Sequence, residues 1–359
     1  MNKILILLFI SVFLGCSRSV ATKTKVRQPV DTIGFAHLAQ QMDSIMVRIG
    51  RMNKMQDCAK SNSDKKEVFR LAVCPYDDYT YAGFLYAQLL RSVKAPVVIL
   101  FGVAHKARSM GIENRIVFDS WKQWSGPYGN VSISPLRNKL IEQLDTTIYM
   151  ISDTLQNVEH SLEAIVPFLQ YYNRNVQIVP ILVPAMPFER MQEIAANLSR
   201  GIMQVTQKQN MQWGKDFALI ISTDAVHYGD EDWGGKNYAP FGSDTAGYIM
   251  AMRHEQEILD SCLKGPISTE KIQRFFTYTV SPDDFREYIW TWCGRYSVPF
   301  GLLVAWNLGR SAGNMPEGRI IGYATSIDHL RLPVEDLGMG TTANASLRHW
   351  VGYAAVGFE

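Results

Sequence analysis

Three short stretches place proton-carrying and metal-ligating side chains directly behind apolar runs. Residues 69–74 lead into Pro75, Tyr76, Asp77 and Asp78; residues 97–101 into Gly102, Val103, Ala104 and His105; residues 217–221 into Ser222, Thr223, Asp224 and then His227. Asp224 and His227 stand three residues apart. On a helical turn after a strand that spacing predicts one shared face, with the carboxylate orienting the imidazole as a general acid or base near neutral pH. Further on, Trp290, Trp292 and Tyr296 bracket Cys293 and Arg295. A thiolate is a soft metal ligand, and the guanidinium either neutralises it or binds an anionic substrate group. Plainer roles stand beside these: an Asp after a strand caps a helix or forms a turn, a lone His is a satisfied polar residue, and the aromatic cluster packs in a core.

Glu159, His160, Ser161 and Glu163 open a helix whose apolar face is Leu162, Ile165, Val166 and Leu169, and acidic residues suit that end of the dipole. His160 either reaches into a cleft or joins a helix-start network. His254, Glu255 and Glu257, flanked by Arg253 and Gln256, read as a solvated helix face, and His37, His329 and His349 as structural residues.

The elements that position these groups alternate. Residues 69–74, 97–101, 147–151, 176–183, 217–221, 319–325 and 350–356 read as strands, several nearly continuously apolar as buried central strands are. Residues 81–91, 134–144, 161–171, 187–207, 245–262 and 298–308 read as helices. The alternation predicts an α/β fold, a three-layer α/β/α sandwich around one mostly buried mixed sheet. In such sheets the ligand crevice lies beyond the carboxyl ends of the strands, so the three strand exits face one cleft if those strands are neighbours.

The chain has 359 residues, 47% hydrophobic and 19% charged, with a net charge of +2. These values exclude a disordered or coiled-coil chain, and the absence of long like-charge blocks gives no reason to expect nucleic acid as a partner. Five cysteines are too few for a disulfide framework. A basic start at Lys3 precedes an apolar run, residues 4–14, closed by Gly15 and Cys16. A run of about 11 residues is too short to span a bilayer and has signal-peptide proportions. The small residue before a cysteine resembles a lipobox, which implies a lipid-anchored bacterial lipoprotein exported to the cell envelope, Cys16 being the lipidated end. Residues 1–15 then form the signal peptide, 16–33 a polar tether, 34–66 a leading amphipathic helix and loop, and 67–359 one domain.

The residues Pro75, Tyr76, Asp77, Asp78, Tyr79, Thr80, Tyr81, Ala82 and Gly83 resemble the Pro-His-x-x-Tyr-x-Tyr-Ser-Gly signature of the Memo family, also called AmmeMemoRadiSam system protein B. Gly102 to His105, Glu159 to Glu163, Pro167 to Gln170, Ser222 to Gly229, Cys293 to Arg295 and Val351 to Ala354 are similar to that family's further motifs, in order. The resemblance implies a fold related to class III extradiol dioxygenases. It places His105 and Cys293 in a metal shell with Asp224 and His227 beside it, and Glu159, His160, Arg295 and Tyr79 around it or facing substrate. The first ligand position falls on Tyr76, where the family has His.

With Tyr76 there, three outcomes are open: Asp77 or Asp78 swings in to rebuild the site, a tyrosinate site forms, or no metal binds. The thiolate favours iron, copper or zinc. Cys74, two residues before Tyr76, is a candidate disulfide partner for Cys293 in an oxidising compartment. No Gly-x-Ser-x-Gly elbow, Walker loop, Gly-x-Gly-x-x-Gly after a strand or His-Glu-x-x-His occurs. Two functions remain: a metal-dependent, dioxygenase-like oxidoreductase acting on a small substrate, or a non-catalytic protein binding a peptide or small ligand.

Overall fold

The structure, a computed structural model, describes residues 25–56, 67–328, 331–343 and 345–359. The export run, Cys16, Cys58 and His329 lie outside the described residues.

The strands are β1 (Val26–Arg27), β2 (Leu71–Cys74), β3 (Val97–Val103), β4 (Ile116–Phe118), β5 (Gln123–Trp124), β6 (Val131–Ile133) and β7 (Tyr149–Ile151). After them come β8 (Gln177–Val183), β9 (Phe217–Ser222), β10 (His227–Gly229), β11 (Gly265–Pro266), β12 (Glu317–Thr325) and β13 (His349–Phe358). They form one mixed sheet in the order β1-β5-β6-β8-β3-β9-β2-β13-β12-β11, with β10 on β13 and β4 bridging β7 and β8. Its centre, β8-β3-β9-β2, is parallel. The expected strand neighbourhood is met: the exits of β2, β9 and β3 lie side by side.

Alternation explains why these strands are apolar throughout. Val97, Ile99 and Phe101 of β3, with Phe217, Leu219 and Ile221 of β9, enter one core. Val98 and Leu100, with Ala218 and Ile220, enter the other. Both faces are covered, so apolar side chains on either face are buried. The helices are α1 (Ala39–Gln56), α2 (Tyr79–Leu90), α3 (Leu136–Ile141), α4 (Asp153–Asn157), α5 (Ile165–Tyr172), α6 (Phe188–Lys208), α7 (Thr245–Ile258), α8 (Thr269–Thr279) and α9 (Ser297–Ala312). The first core takes α3, α6, α8 and α9, the second α1, α2 and α5, and the result is the three-layer sandwich. Among the described residues no helix is long and apolar enough to cross a membrane.

The leading helix starts at Ala39 because Gln41 Oε1 accepts the His37 and Leu38 N–H groups ahead of it. Leu38 is left exposed. The end of the segment read as a tether is built into the fold. Val26–Arg27 pairs with β5, and the buried Arg27 guanidinium meets Glu163 at 2.7 Å and donates to the Gln156 and Glu159 carbonyls. Glu163 also accepts the Val30 and Asp31 N–H groups. A buried guanidinium needs such acceptors, and they fix the segment across the mouth of α5.

Candidate active site at the strand exits

Tyr76 follows β2, His105 follows β3, and Asp224 and His227 follow β9. Cys293 arrives from the loop ahead of α9, where Val226 pairs with Trp292 in an isolated bridge. Gly294 makes this approach possible: its N–H donates to Thr223 Oγ1 at 2.9 Å, and a Cβ there would lie 2.2 Å from that oxygen. The sheet thus brings Tyr76, His105, His227 and Cys293 together.

On one side stands a relay. The Tyr76 hydroxyl is 2.9 Å from His105 Nε2, and His105 Nδ1 is 2.9 Å from Glu159 Oε1. A carboxylate accepts, so the proton sits on Nδ1 and Nε2 receives the phenol's hydrogen bond. Glu159 also accepts the backbone N–H groups of His105, His160 and Ser161. Burial pushes its acidity the wrong way, but the His105 hydrogen bond, the nearby imidazoles and the Ser161 N–H outweigh it, and the carboxyl is lowered from 4.5 to about 2. The His160 ring stacks on His105, 5.0 Å between centroids and 6° apart in plane. Glu159 and His160 therefore both stand against His105.

On the other side the groups are neutral. Cys293 Sγ is 3.1 Å from His227 Nε2 and packs on Tyr76. Burial, with His105 nearby, pushes His227 down to about 3; burial, with Asp224 nearby, pushes the Cys293 thiol up. The expected Asp224–His227 pairing is absent. His227 begins β10 and pairs with Val351 in extended backbone, so no helical turn brings the two side chains onto one face. Asp224 Oδ1 instead accepts the Tyr76 N–H at 3.0 Å, and burial followed by Asp77 raises its carboxyl far above the ordinary range. It positions the loop that carries Tyr76.

Glu255 is the residue that sequence reasoning missed. It is fully buried, not solvated. It accepts the indole N–H groups of Trp290 and Trp292, the Tyr323 hydroxyl and the Val226 N–H. These bonds tie together the chain just before Cys293 and just before His227. The helical register of α7 hid it, because its neighbours Arg253 and Gln256 are polar. Trp290 and Trp292 are core residues with their nitrogens turned to this carboxylate.

The other candidates stand apart from the relay. Tyr79 is a core residue whose hydroxyl donates to the Ala164 carbonyl. Asp78 accepts from Thr342 under Gly34, and burial followed by Asp77 raises it to about 8. Asp77 holds the Asp78 N–H and the Tyr353 hydroxyl. Arg295 does not neutralise Cys293: its Nη2 donates to the Arg286 carbonyl and its guanidinium lies 3.3 Å over the Tyr288 ring. Cys74 and Cys293 are free thiols, so the candidate disulfide is not formed.

These contacts also test the metal shell that the resemblance implies. Tyr76 occupies the His105 lone pair that a metal would use, Asp77 and Asp78 are engaged elsewhere, and the set of Tyr76, His105 and Cys293 does not fit a resident ion. A different group has the spacing for one. The ligand atoms of His105, Glu159 and His160 lie within 4.8 Å of one another. Over Tyr76 opens a cavity of about 350 Å³, bounded by Asp77 and His160 on one side and by the segment 30–35 and Thr342 on the other.

The sequence profile of the Memo-like protein family matches residues 49–336. A MEMO1 family protein of Pyrococcus horikoshii is 23% identical over 278 residues, 75% of this chain and 84% of its own length. One from Thermococcus kodakarensis is 24% identical over 311 residues, 84% and 90% of the two chains. One from Aquifex aeolicus is 29% identical over 182 residues, 49% and 61%.

Proposed function

The chain belongs to the Memo-like protein family, and from that premise we propose that its cleft binds a small molecule and moves a proton along Tyr76, His105 and Glu159. The 2.9 Å bond from the Tyr76 hydroxyl to His105 Nε2 carries this reading. Burial, with Cys293 nearby, raises the Tyr76 phenol well above its ordinary range, so no free phenolate is held. As the bound molecule gives a proton to the Tyr76 oxygen, the phenolic proton passes to Nε2 in the same step, and Glu159 at Nδ1 stabilises the imidazolium that forms, as the carboxylate does in hydroxyl–imidazole–carboxylate triads. Cys293 and His227, both neutral, stand on the far side of Tyr76.

Two measurements test this. Nitrogen NMR of the full chain is expected to show His105 as the Nδ1–H tautomer, with Nε2 shifting in Tyr76→Phe; an Nε2–H tautomer in the wild type would sink the relay. Protein grown with iron, copper and zinc is expected to bind little metal, and Tyr76→His to gain it. Stoichiometric metal in the wild type, lost in both His105→Ala and Cys293→Ala, overturns the reading.

The spacing of His105, Glu159 and His160 favours a second reading, in which that group holds the ion. Two imidazoles and a carboxylate suit iron or zinc, and such an ion would supply a Lewis acid or a redox centre, with oxygen chemistry on a small substrate as its use. Metal that is lost in His160→Ala but kept in Cys293→Ala would establish it.

The run at residues 4–14 ending in Gly15 and Cys16 supports export and a lipid anchor at the membrane. Labelling with radioactive palmitate is expected to mark the wild type and not Cys16→Ser; equal labelling refutes the anchor.

A further inference from the structure

We propose that the cavity over Tyr76 takes a small organic amine, an aromatic or aliphatic body bearing one positive charge. The inference rests on the reading that this cleft binds a small molecule, and it names the class. The cavity, about 350 Å³, is lined among the described residues by two carboxylate residues, Asp31 and Asp77, and by no lysine or arginine. An anion placed there would face like charge without a compensating cation, whereas an ammonium group meets acceptors.

Asp31 is the acceptor with capacity to give. Its Oδ1 takes the Ile33 and Gly34 N–H groups at 2.6 and 2.9 Å. Among the described residues no donor reaches Oδ2. That oxygen lies 3.3 Å from the point where a Cβ on Gly34 would sit, so it shares the same turn. Asp77, by contrast, has one donor on each oxygen. The remaining walls suit the body of such a ligand: the rings of Phe35 and Tyr76, whose faces attract cations, and the Ile33 side chain, 48% exposed.

This wall lies ahead of the relay in the chain. Asp31, Ile33 and Phe35 precede the span that the family profile matches, and the buried Arg27–Glu163 pair with the Glu163 bonds to Val30 and Asp31 fixes them in place. The leading segment is therefore a specificity element laid over a family site.

Three probes of one shape and different charge test the assignment by calorimetry on the full chain: benzylamine, benzyl alcohol and benzoate. Benzylamine is expected to bind saturably and benzoate at least about tenfold more weakly. Asp31→Asn keeps the turn-forming Oδ1 and is expected to weaken benzylamine about tenfold while leaving benzyl alcohol unchanged. Ile33→Ser, at an exposed position that folding does not need, is expected to weaken benzylamine and benzyl alcohol alike. Absence of saturable benzylamine binding, benzoate binding as tight as benzylamine, or an Asp31→Asn protein with undiminished benzylamine affinity would each overturn it. The His105 tautomer signature is read in the same samples; if it persists while amine preference fails, only this inference falls.

Discussion

Glu159 and Glu255 are both buried, and both accept four hydrogen bonds beside the same cleft. Their acidities move in opposite directions. Glu159 drops to about 2, with His105 and His160 able to carry charge beside it. Glu255 is raised by burial, against the bonds from two indoles, a phenol and an amide. Counting hydrogen bonds does not fix the charge of a buried carboxyl; what matters as well is whether a partner can hold the opposite charge. One residue is thus suited to proton transfer and the other to holding chain segments.

The largest effect should come from Glu255. Glu255→Leu leaves two indole N–H groups, a hydroxyl and an amide buried without an acceptor, and is expected to cost about 4 kcal/mol in urea unfolding. Glu159→Gln is expected to cost about 3 kcal/mol near neutral pH, the equivalent of its lowered acidity. The pH series separates the two. Glu159 has a folded value below its unfolded one, so its contribution is present above about 4.5 and is lost as pH falls towards about 2. Glu255 has a folded value above its unfolded one, so its contribution is present in acid and is lost as pH rises through the raised value. Glu159→Gln should flatten the loss of stability as pH falls below about 4.5, and Glu255→Gln the loss as pH rises above about 4.5; matching slopes in the two variants would erase the distinction.

A smaller loss, about 1 kcal/mol, is expected for Tyr76→Phe, which removes one hydrogen bond from the relay. His160→Asn, at the half-exposed edge of the Glu159 group, is expected to change unfolding by about 0.5 kcal/mol or less. A loss of several kcal/mol there would show that the imidazole stack, and not Glu159, holds that side of the cleft together.

Tyr76, His105 and Asp224 were legible in the sequence because each closely follows a strand whose apolar run is unmistakable, with His227 a few residues beyond Asp224, and strand neighbourhood then gathers them. The relation between Asp224 and His227 was not, since spacing alone does not distinguish a helical turn from a chain that joins β13 in extended form. Glu255 was hidden for the converse reason. Its partners come from 29 to 68 residues away in sequence, and a polar neighbourhood on a helix looks solvated until the fold closes over it. Arg27 was read as tether because basic residues are ordinary there; only Glu163, from a helix start far along the chain, turns it inward.

The buried Arg27–Glu163 clamp has a mechanical consequence. A pull on the amino-terminal end enters the sheet at its far edge through β1, and the next solid attachment along the chain is Glu163, with Val30 and Asp31 hanging from the same carboxylate. The wall of the cavity thus lies in the line of force. A chain suspended from a surface by residues ahead of Arg27 would feel tension in the wall of the cavity over Tyr76 before its central sheet.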